Sequence, residues 1–426
     1  MRVGNLVDLA RLLAMPWRGA AALRRTQERK LRRIVRHAAA NVPFYGEIFR
    51  SAKLDPREIR TLADVTAIPL VSKQEMQAVP LRDRVARNID ITVCRRQTTS
   101  GSTGVPLEVL FRRRDETILN LGWVRAFLSA GLQPWEKRAV FTPKRELPAR
   151  GSWYEYMGLL RRKDISTWRP AEEWLEEVAH WRPDAVMGYV KVLCLFAEEV
   201  RRSGATVVAP RLVFTTSEIL DDDSRRFLSD VFRAPVFDIY ASAEAGCMAW
   251  QCPRCSALHV SADTALLEVL ADGRQAAPGI AGEVVVTNLH SYAMPFIRYR
   301  QGDIAVPSAR RPACARNLPL IEGIEGRQDD CVVLRSGRAI SYSPFYYSVQ
   351  SVAGVRKWRI VQEDSDTLLV EIEAGPEFGE DSRAAIERNL RSVVSGELVI
   401  RIAIVQAIVN DPRLKSRAVS SKIRRR

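Results

Sequence analysis

Apolar residues recur with a helical period in several long segments of the chain. In residues 20–40 they fall on one face, and arginine and lysine residues occupy the opposite face. The apolar face consists of Leu31, Ile34, Val35, Ala38 and Ala39. This pattern predicts an amphipathic helix that ends before Pro43, because a proline disfavours helical geometry in the residue preceding it. Helical patterning also dominates residues 115–131 and 171–203.

Short apolar runs lie between the helical segments and predict strands. In the first part of the chain these runs are Ile91–Val93, Leu107–Phe111, Leu212–Phe214 and Val236–Tyr240. Helices that alternate with such strands are typical of α/β layers. From Gly282 the pattern changes to strands at Glu283–Thr287 and Ile297–Tyr299. Further on it predicts strands at Arg359–Gln362, Thr367–Ile372 and Val399–Val405 and a helix at Asp381–Val394.

The change of pattern predicts an α/β protein with two domains. We expect a large multi-layer N-terminal domain of mixed sheets and helices over residues 1–326. It includes a basic helical segment at residues 1–40. A small, mobile α+β domain follows over residues 327–426, and the boundary lies in Gly326–Asp330. At 426 residues the chain is long enough for both.

The composition is that of a globular protein, but the net charge of +15 raises the question of an anionic partner. Residues 1–40 carry ten Arg or Lys residues against two acids, and residues 413–426 carry seven basic residues and no acid. The stretch between them is therefore neutral overall, and we expect no nucleic-acid binding. The basic ends fit either a solvated helix face and tail or a patch for a phosphate-rich cofactor, a membrane or an acidic protein.

The apolar stretches are too short to predict a membrane span, which needs ~20 apolar residues. The longest stretch near the start, Leu6–Trp17, is interrupted by Asp8 and Arg11, and no small-residue cleavage site follows it. We therefore expect a cytoplasmic protein without a transmembrane segment. The seven cysteines are an odd number, and in that compartment disulfides are not expected.

A loop rich in glycine and hydroxyl side chains follows the first predicted strand. It comprises Thr98, Thr99, Ser100, Gly101, Ser102, Thr103 and Gly104. Glycines let the backbone approach a ligand closely, and consecutive N–H groups can form a nest for a polyphosphate. The spacing is not that of a Walker A motif, because the glycines are too close and no lysine follows. The alternative is that this loop is a surface turn without a ligand.

Together with four later segments, this loop resembles the adenylate-forming superfamily, which includes acyl-CoA synthetases. Thr98–Pro106 resembles its phosphate-binding loop. Phe214–Leu220 resembles the segment that lines the nucleotide and acyl pocket, and Tyr240–Glu244 resembles the aromatic-to-acid motif. Tyr292–Asp303 resembles the ribose-binding motif, and Gly326–Asp330 resembles the interdomain hinge. The entry region Asn41–Tyr45 and the stretch Ile68–Lys73 are similar to the phenylacetate–CoA ligase branch and its capsule-biosynthesis relatives.

The resemblance implies an activity and its cofactors. Such an enzyme uses ATP and Mg²⁺ to activate a carboxylic acid as an acyl-adenylate and then transfers the acyl group to a nucleophile. Coenzyme A is the expected acceptor, with an amine or a hydroxyl as alternatives. A homodimer is also considered. Catalysis would rest on positioning and charge stabilisation, and a carboxylate substrate needs no general base.

The same resemblance assigns roles to individual residues. Ser217 and Glu218 would line the pocket, Tyr240 would stack on the adenine beside Ala241 and Ser242, and Glu244 would bind Mg²⁺. Asp303 would accept hydrogen bonds from the ribose hydroxyls, and Arg327 would donate to the nucleotide. Lys415 would neutralise charge at the α-phosphate, with Lys422 as its rival.

One departure from the family pattern bears on activity. Ala241 and Ala243 stand where the family usually has glycine and a hydroxyl residue, so Ala243 cannot donate to the α-phosphate. Ser242 is one residue away and would point elsewhere in an extended segment. The alternative function is therefore a degenerate nucleotide-binding protein that acts as a non-catalytic partner in a biosynthetic pathway.

A cluster of cysteines predicts a metal site. Cys252 and Cys255 form a C-x-x-C pair that can coordinate a metal ion in tetrahedral geometry, and His259 follows four residues after Cys255. Some members of the phenylacetate–CoA ligase branch carry a structural zinc in this region, which implies Zn²⁺ bound by Cys252, Cys255, His259 and Cys314. Cys247 is the alternative to His259, and Pro312 occupies one place where a cysteine is expected. Unliganded buried thiols are the remaining alternative.

Overall fold

The computed structural model describes residues 3–98, 107–143, 153–204, 208–327, 331–340, 342–350, 352–408 and 418–423. Over these ranges the protein is a mixed α/β structure with a 12-stranded sheet, a four-stranded sheet and two two-stranded sheets, which confirms the predicted fold class. Within them no helix combines the length and the apolar character that crossing a bilayer requires.

The helices of the described ranges are numbered in chain order. They are α1 (Val3–Ala14), α2 (Ala20–Asn41), α3 (Pro43–Ser51), α4 (Lys73–Ala78), α5 (Leu81–Arg84), α6 (Arg113–Ser129), α7 (Trp153–Tyr156), α8 (Ala171–Trp181), α9 (Val190–Ser203), α10 (Asp222–Phe232), α11 (Tyr342–Val349) and α12 (Glu380–Val393). Short 3-10 turns lie at Met15–Trp17, Ala63–Ala67 and Ile91–Val93.

The strands follow the same convention. They are β1 (Arg95–Thr98), β2 (Glu108–Phe111), β3 (Arg138–Thr142), β4 (Arg162–Ser166), β5 (Ala185–Gly188), β6 (Leu212–Thr216), β7 (Val236–Ser242), β8 (Gly246–Cys252), β9 (Cys255–Val260), β10 (Ala265–Ala271), β11 (Arg274–Gln275), β12 (Gly282–Asn288), β13 (Tyr299–Pro307), β14 (Leu320–Arg327), β15 (Val332–Val333), β16 (Ala339–Ile340), β17 (Val355–Gln362), β18 (Thr367–Ala374), β19 (Val399–Val405) and β20 (Val419–Ser421).

The large sheet has the strand order β11-β10-β12-β13-β14-β9-β8-β7-β6-β5-β3-β4 in the described part of the chain. From β4 to β7 neighbouring strands are parallel, whereas β8 runs antiparallel to β7, and β9 runs antiparallel to β8. The parallel strands are short runs of buried apolar residues, and α8, α9 and α10 pack their apolar faces onto them. This core fixes the positions at which the parallel strands end.

The chain divides into two compact units. One comprises Met1–Gln301 with Val306–Gly323, and the other comprises Gly302–Ala305 with Ile324–Arg426. In the second unit, β17–β20 form a sheet with the order β19-β18-β17-β20, and α12 packs its buried residues Ile386 and Leu390 into a core with Ile360, Val370 and Ile372. The division into domains 1–326 and 327–426 stays a prediction.

Most predicted elements are present, and three differ for identifiable reasons. Ile91–Val93 is a 3-10 turn and not a strand, because the Asp90 carboxylate accepts hydrogen bonds from the Thr92 backbone N–H at 2.9 Å and from its hydroxyl at 2.7 Å. The predicted strand at Ile297–Tyr299 begins only at Tyr299, since Arg298 adopts a left-handed φ of 45°.

The stretch 171–203, which was predicted to be helical, also contains a strand. Helix α8 ends at Trp181, and Arg182 adopts a left-handed φ of 48° as its C-cap. The completely buried strand β5 follows before α9 begins. A four-residue apolar run between two helices has no periodicity of its own, so it merges into the neighbouring pattern.

Candidate active site and metal centre

The parallel strands β5, β6 and β7 bring their carboxyl ends to the same edge of the sheet. At the end of β6, Ser217 has a left-handed φ of 69°, which redirects the chain towards Glu218. The Glu218 Oε2 accepts a hydrogen bond of 2.9 Å from the Lys191 backbone N–H in the first turn of α9. A carboxylate is favourable there because the first N–H groups of a helix carry partial positive charge.

The predicted aromatic-to-acid motif lies where β7 turns back into β8. Tyr240 is buried near the end of β7, and Ser242 pairs with Gly246 across the hairpin, so Ala243–Ala245 form its loop. Gly246 has a φ of 69°, and a Cβ added to it would approach the Leu119 side chain to 3.0 Å. This tight turn presents the backbone and side chain of Glu244 at the end of the strand.

Two residues hold Glu244 in place. The Tyr299 hydroxyl donates to the Glu244 Oε1 over 3.3 Å, and the Asn288 Nδ2 donates to the Glu244 carbonyl over 2.9 Å. Tyr299, Asn288 and Glu244 are all buried. A buried carboxylate oriented by such bonds is chemically suited to bind a hard cation.

The hydroxyl of Ser242 is fixed by two donors. It accepts a hydrogen bond from the Ala245 backbone N–H at 3.1 Å and another from the Gln301 Nε2 at 3.2 Å. Ser242 is partly exposed, and its own O–H remains able to donate. Ser242 therefore offers a donor one residue before Ala243, which has none.

Asn288, Tyr299 and Gln301 were not among the predicted site residues. Asn288 also accepts from the backbone N–H groups of His290 and Ser291 and donates to the Ser291 hydroxyl, so it fixes the loop after β12. Tyr299 and Gln301 lie inside the ribose-motif segment, and that segment was the available signal for them. No sequence pattern singled out Asn288.

In the second unit, Asp303 and Arg327 lie side by side. The Arg327 Nε is 3.7 Å from the Asp303 Oδ1, and both side chains are partly exposed. Gly302 has a φ of 72°, and a Cβ there would lie 3.4 Å from the Arg327 Nη2. The structure thus brings together the two residues predicted for the ribose side of the nucleotide.

Part of the prediction lies outside the described residues. Thr99, Ser100, Gly101, Ser102, Thr103 and Gly104 belong to that part, as does Lys415. Thr98 is the last residue of β1 and pairs with Glu108 of β2. The rival Lys422 is described, and its Nζ lies 3.7 Å from the Glu363 Oε1.

The four residues predicted to bind zinc converge in the first unit. Cys252 and Cys255 face each other across the β8–β9 hairpin, His259 follows on β9, and the turn at Pro312–Ala315 carries Cys314 to them. The His259 Nε2 lies 3.4 Å from both the Cys252 Sγ and the Cys314 Sγ, and the Cys255 Sγ lies 3.7 Å from the Cys314 Sγ.

Burial changes the pKa values of the groups in this cluster. Burial, reinforced by Arg316, lowers the pKa of His259 to about 4, so its ring is neutral at pH 7. Burial raises the pKa of the Cys252 thiol to about 11, which a metal would reverse by stabilising the thiolate. The alternative ligand Cys247 is buried outside the cluster, with its Sγ 3.9 Å from the Ala249 carbonyl.

Comparison with known proteins identifies homologues. No family model matches the chain. It is 26% identical over 362 residues to a phenylacetate–coenzyme A ligase of Pseudomonas putida, a match that covers 79% of this chain and 77% of that protein. It is 21% identical over 361 residues to protein CapK of Staphylococcus aureus, which covers 81% and 77%. These homologues confirm the resemblance that the motifs predicted.

Solved structures show the same fold. A 2-hydroxyisobutyryl-CoA ligase in the postadenylation state matches with a TM-score of 0.79 at 20% identity, covering 96% of this chain and 91% of that one. ATP-bound MatB from Rhodopseudomonas palustris matches with a TM-score of 0.56 at 13% identity, covering 76% and 66%. The chain therefore has the fold of adenylate-forming acyl-CoA ligases.

Proposed function

We propose that the protein is an AMP-forming ligase that activates a carboxylic acid and transfers it to coenzyme A. The observation that carries this proposal is the similarity to phenylacetate–coenzyme A ligases over about four-fifths of the chain. The oriented carboxylate of Glu244 at the carboxyl end of a parallel strand supports it, because ligands of open α/β sheets bind at that edge.

The reaction has two steps. In the first, a carboxylate oxygen attacks the α-phosphorus of ATP, forming a C(O)O–P bond while the bond to pyrophosphate breaks. In the second, the thiol of coenzyme A attacks the acyl carbon, forming the thioester, releasing AMP and losing a proton to solvent. No oxidant or reductant is needed.

Each site residue would have its own chemical role. Glu244 would hold the Mg²⁺ that screens phosphate charge, and Tyr240 would provide an aromatic face to the adenine. Ser242 would supply the hydroxyl donor that Ala243 lacks, since both of its accepted hydrogen bonds leave the O–H available. Asp303 and Arg327 would bind the ribose, and Lys415 would neutralise the α-phosphate.

Exchange of pyrophosphate into ATP over a panel of carboxylic acids, including aryl and arylacetic acids, tests the first step. We expect acid-dependent exchange that falls ~100-fold or more in Glu244→Gln, because a charge acting on the transition state is lost. Glu172→Gln, an exposed position on α8, is the matched control. AMP binding without exchange on any acid would instead establish the degenerate, non-catalytic alternative.

The acceptor needs a separate measurement. With an acid that supports exchange, we expect the free thiol of coenzyme A to be consumed in step with AMP release. AMP release that requires an added amine or alcohol and leaves the thiol intact would contradict the thioester step. The homodimer and the cytoplasmic location stay predictions.

We also propose that Cys252, Cys255, His259 and Cys314 bind a structural Zn²⁺. Bonds of about 2.3 Å to sulfur and about 2.0 Å to nitrogen in a tetrahedron place two sulfurs about 3.8 Å apart and sulfur and nitrogen about 3.5 Å apart. The distances in the cluster are 3.7 Å and 3.4 Å. Three thiolates and a neutral imidazole are donors that zinc favours.

Metal analysis of the purified protein tests the zinc proposal. We expect one zinc per chain, lost in Cys314→Ser and retained in the control Cys194→Ser, whose thiol lies away from the cluster on α9. Zinc removal should also lower the melting temperature, because the metal links the β8–β9 hairpin to a turn some sixty residues later. A metal-free protein with an unchanged melting temperature would refute it.

A further inference from the structure

The outer face of α2 is a strip of arginines. Arg25, Arg29, Arg32 and Arg36 recur at intervals of four, three and four residues, so they lie along one side of the helix over roughly 16 Å. The opposite side carries the buried apolar residues of α2. The acid on this helix, Glu28, pairs with Arg24 at 2.9 Å and lies beside the strip. No acid of α2 therefore compensates the positive charge of the strip.

Exposed apolar residues lie along one side of α1, beside Arg11, whose side chain is 73% exposed. Leu6 is 55% exposed and Val7 is 42% exposed, and Ala10 continues this face one turn later. Trp17, in the turn that follows, is 57% exposed, with the Arg316 guanidinium 4.8 Å from its ring centre. Exposed apolar residues next to arginines are typical of helices that lie in a membrane interface, where tryptophan is also favoured.

Both helices connect to the buried Asp263, α1 through Arg125 and α2 directly. The fully buried Arg125 donates to the Asp263 carboxylate at 2.7 Å and contacts the Leu12 carbonyl of α1 at 3.4 Å. The Lys30 Nζ of α2 donates to the Asp263 carbonyl at 2.6 Å. By helical spacing, Leu12 lies on the side of α1 opposite Leu6, Val7 and Ala10. Lys30 lies roughly 130° around α2 from the arginine strip. Both outer faces therefore turn away from Asp263.

We propose that α1 and α2 form a docking surface for a membrane rich in anionic lipids. The arginine strip would contact lipid phosphates, and Leu6, Val7 and Trp17 would enter the interface. Nucleic acid is the less fitting occupant, because it offers phosphate charge to the strip but nothing to the apolar face of α1. The surface would hold the protein at the bilayer by peripheral contact.

Sedimentation of the full-length chain with vesicles tests this proposal. We expect binding to phosphatidylcholine vesicles containing about one-third phosphatidylglycerol and little binding to phosphatidylcholine alone, with weakening at high salt. The triple variant Arg25→Gln, Arg29→Gln, Arg36→Gln should bind about 100-fold more weakly, since each basic residue near such a surface contributes about 1 kcal/mol. Its melting temperature should match that of the wild type.

The matched control removes the same charge elsewhere. The variant Arg201→Gln, Arg226→Gln, Arg233→Gln changes three exposed arginines, on α9, on α10 and at the C-cap of α10, and we expect it to bind like the wild type. An equal loss in this control would show attraction by net charge alone and overturn the proposal. So would binding to short duplex DNA without binding to the anionic vesicles.

A second readout tests the apolar face. Lipids brominated in their acyl chains should quench part of the tryptophan fluorescence, and Trp17→Phe should abolish that part. Leu6→Gln, Val7→Gln should weaken vesicle binding at high salt at least tenfold, because apolar contact is then the remaining attraction. Unchanged quenching in Trp17→Phe would overturn insertion at this surface. Acid-dependent exchange does not enter either readout, so these outcomes are independent of the proposed reaction.

Discussion

The hydroxyl of Tyr299 is the smallest feature that the proposed chemistry depends on. It contacts the Glu244 carboxylate over 3.3 Å inside the first unit, where both side chains are buried. Removing the hydroxyl leaves the aromatic packing against Phe296 intact but removes one of the contacts that orient the carboxylate. A neutral hydrogen bond to a charged group contributes roughly 1.5–3 kcal/mol.

We therefore predict that Tyr299→Phe raises the Mg²⁺ concentration needed for half-maximal pyrophosphate exchange roughly 10- to 100-fold. The maximal rate at saturating Mg²⁺ should change much less, because the variant weakens the positioning of Glu244 and keeps its charge. Titration of exchange activity with Mg²⁺ measures both quantities. Tyr156→Phe, at an exposed position, is the control. A lower maximal rate at unchanged Mg²⁺ dependence would contradict this positioning role.

At the residue scale the sequence predicted side chains whose type carries the chemistry. The four residues proposed to bind zinc are of this kind, because cysteine and histidine at close spacing have few other uses. Asn288 shows the limit. It contacts the backbone of Glu244, which is 44 positions away, and an asparagine ending a strand has many uses. Its partner becomes visible only when β7, β8 and β12 are placed in space.

At the scale of elements, Asp115 connects helix α6 to the loop after β12. Its carboxylate accepts hydrogen bonds from the Arg112 side chain and from the backbone N–H groups of Tyr292 and Ala293, both at 3.1 Å. It is almost fully buried. One carboxylate thus caps the first turn of a helix and anchors the segment that leads to β13.

We predict that Asp115→Ala lowers the free energy of unfolding by about 3 kcal/mol, because it leaves two buried N–H groups and an arginine without their acceptor. Urea denaturation measures this change. Asp90→Ala removes a carboxylate from an exposed turn and should cost less than about 1 kcal/mol. Equal effects of the two substitutions would show that the Asp115 connection does not stabilise the fold.

Element types were predictable where a pattern persists over many residues. The strand Val399–Val405 and the helix α2 follow their periods closely. The pattern failed where one polar side chain decides the backbone. Asp90 turns Ile91–Val93 into a 3-10 turn, and Arg298 leaves the extended conformation while binding the buried Glu268 at 2.9 Å. The partner of Arg298 lies 30 residues away, so periodicity cannot reveal it.

At the scale of the whole molecule, the order of layers was predictable and the width of the sheet was not. Alternating helices and strands indicate parallel pairing, but β8–β14 belong to the same sheet. Their antiparallel pairs include β9 with β14, which joins His259 to Leu320 and cannot be inferred from a local pattern. The sequence also did not predict where the N-terminal helices pack, because their contacts are far along the chain. The Lys30 Nζ lies 2.8 Å from the His290 Nε2.

Lys30 gives a pH dependence that belongs to the folded chain as a whole. Burial, with a further contribution from the Arg125 charge and against the attraction of Asp263, lowers the pKa of Lys30 to about 8 from its ordinary value of 10.5. Between these values the unfolded chain binds more protons than the folded chain. Lys30 therefore makes the fold more stable as the pH rises from about 8 to about 10.5.

We predict that this contribution disappears in Lys30→Met. The unfolding free energy of the wild type minus that of the variant should increase as the pH is raised across that range. Urea denaturation of both proteins at several pH values gives this difference, and groups that titrate in both proteins cancel from it. Lys53→Met, at an exposed position, is the control. A difference that falls or stays constant with pH would refute the prediction.

The contacts of Lys30 also affect how the protein is made. Helix α2 leaves the ribosome well before its polar partners Asp263 and His290, which follow Lys30 by 233 and 260 residues. At about 5–20 residues per second, roughly 10–50 s pass before those partners are synthesised. During that time the apolar face with Leu31, Ile34, Val35 and Ala38 has no docking site around Asp263. The nascent chain is therefore expected to depend on chaperones that shield this helix until synthesis is well advanced.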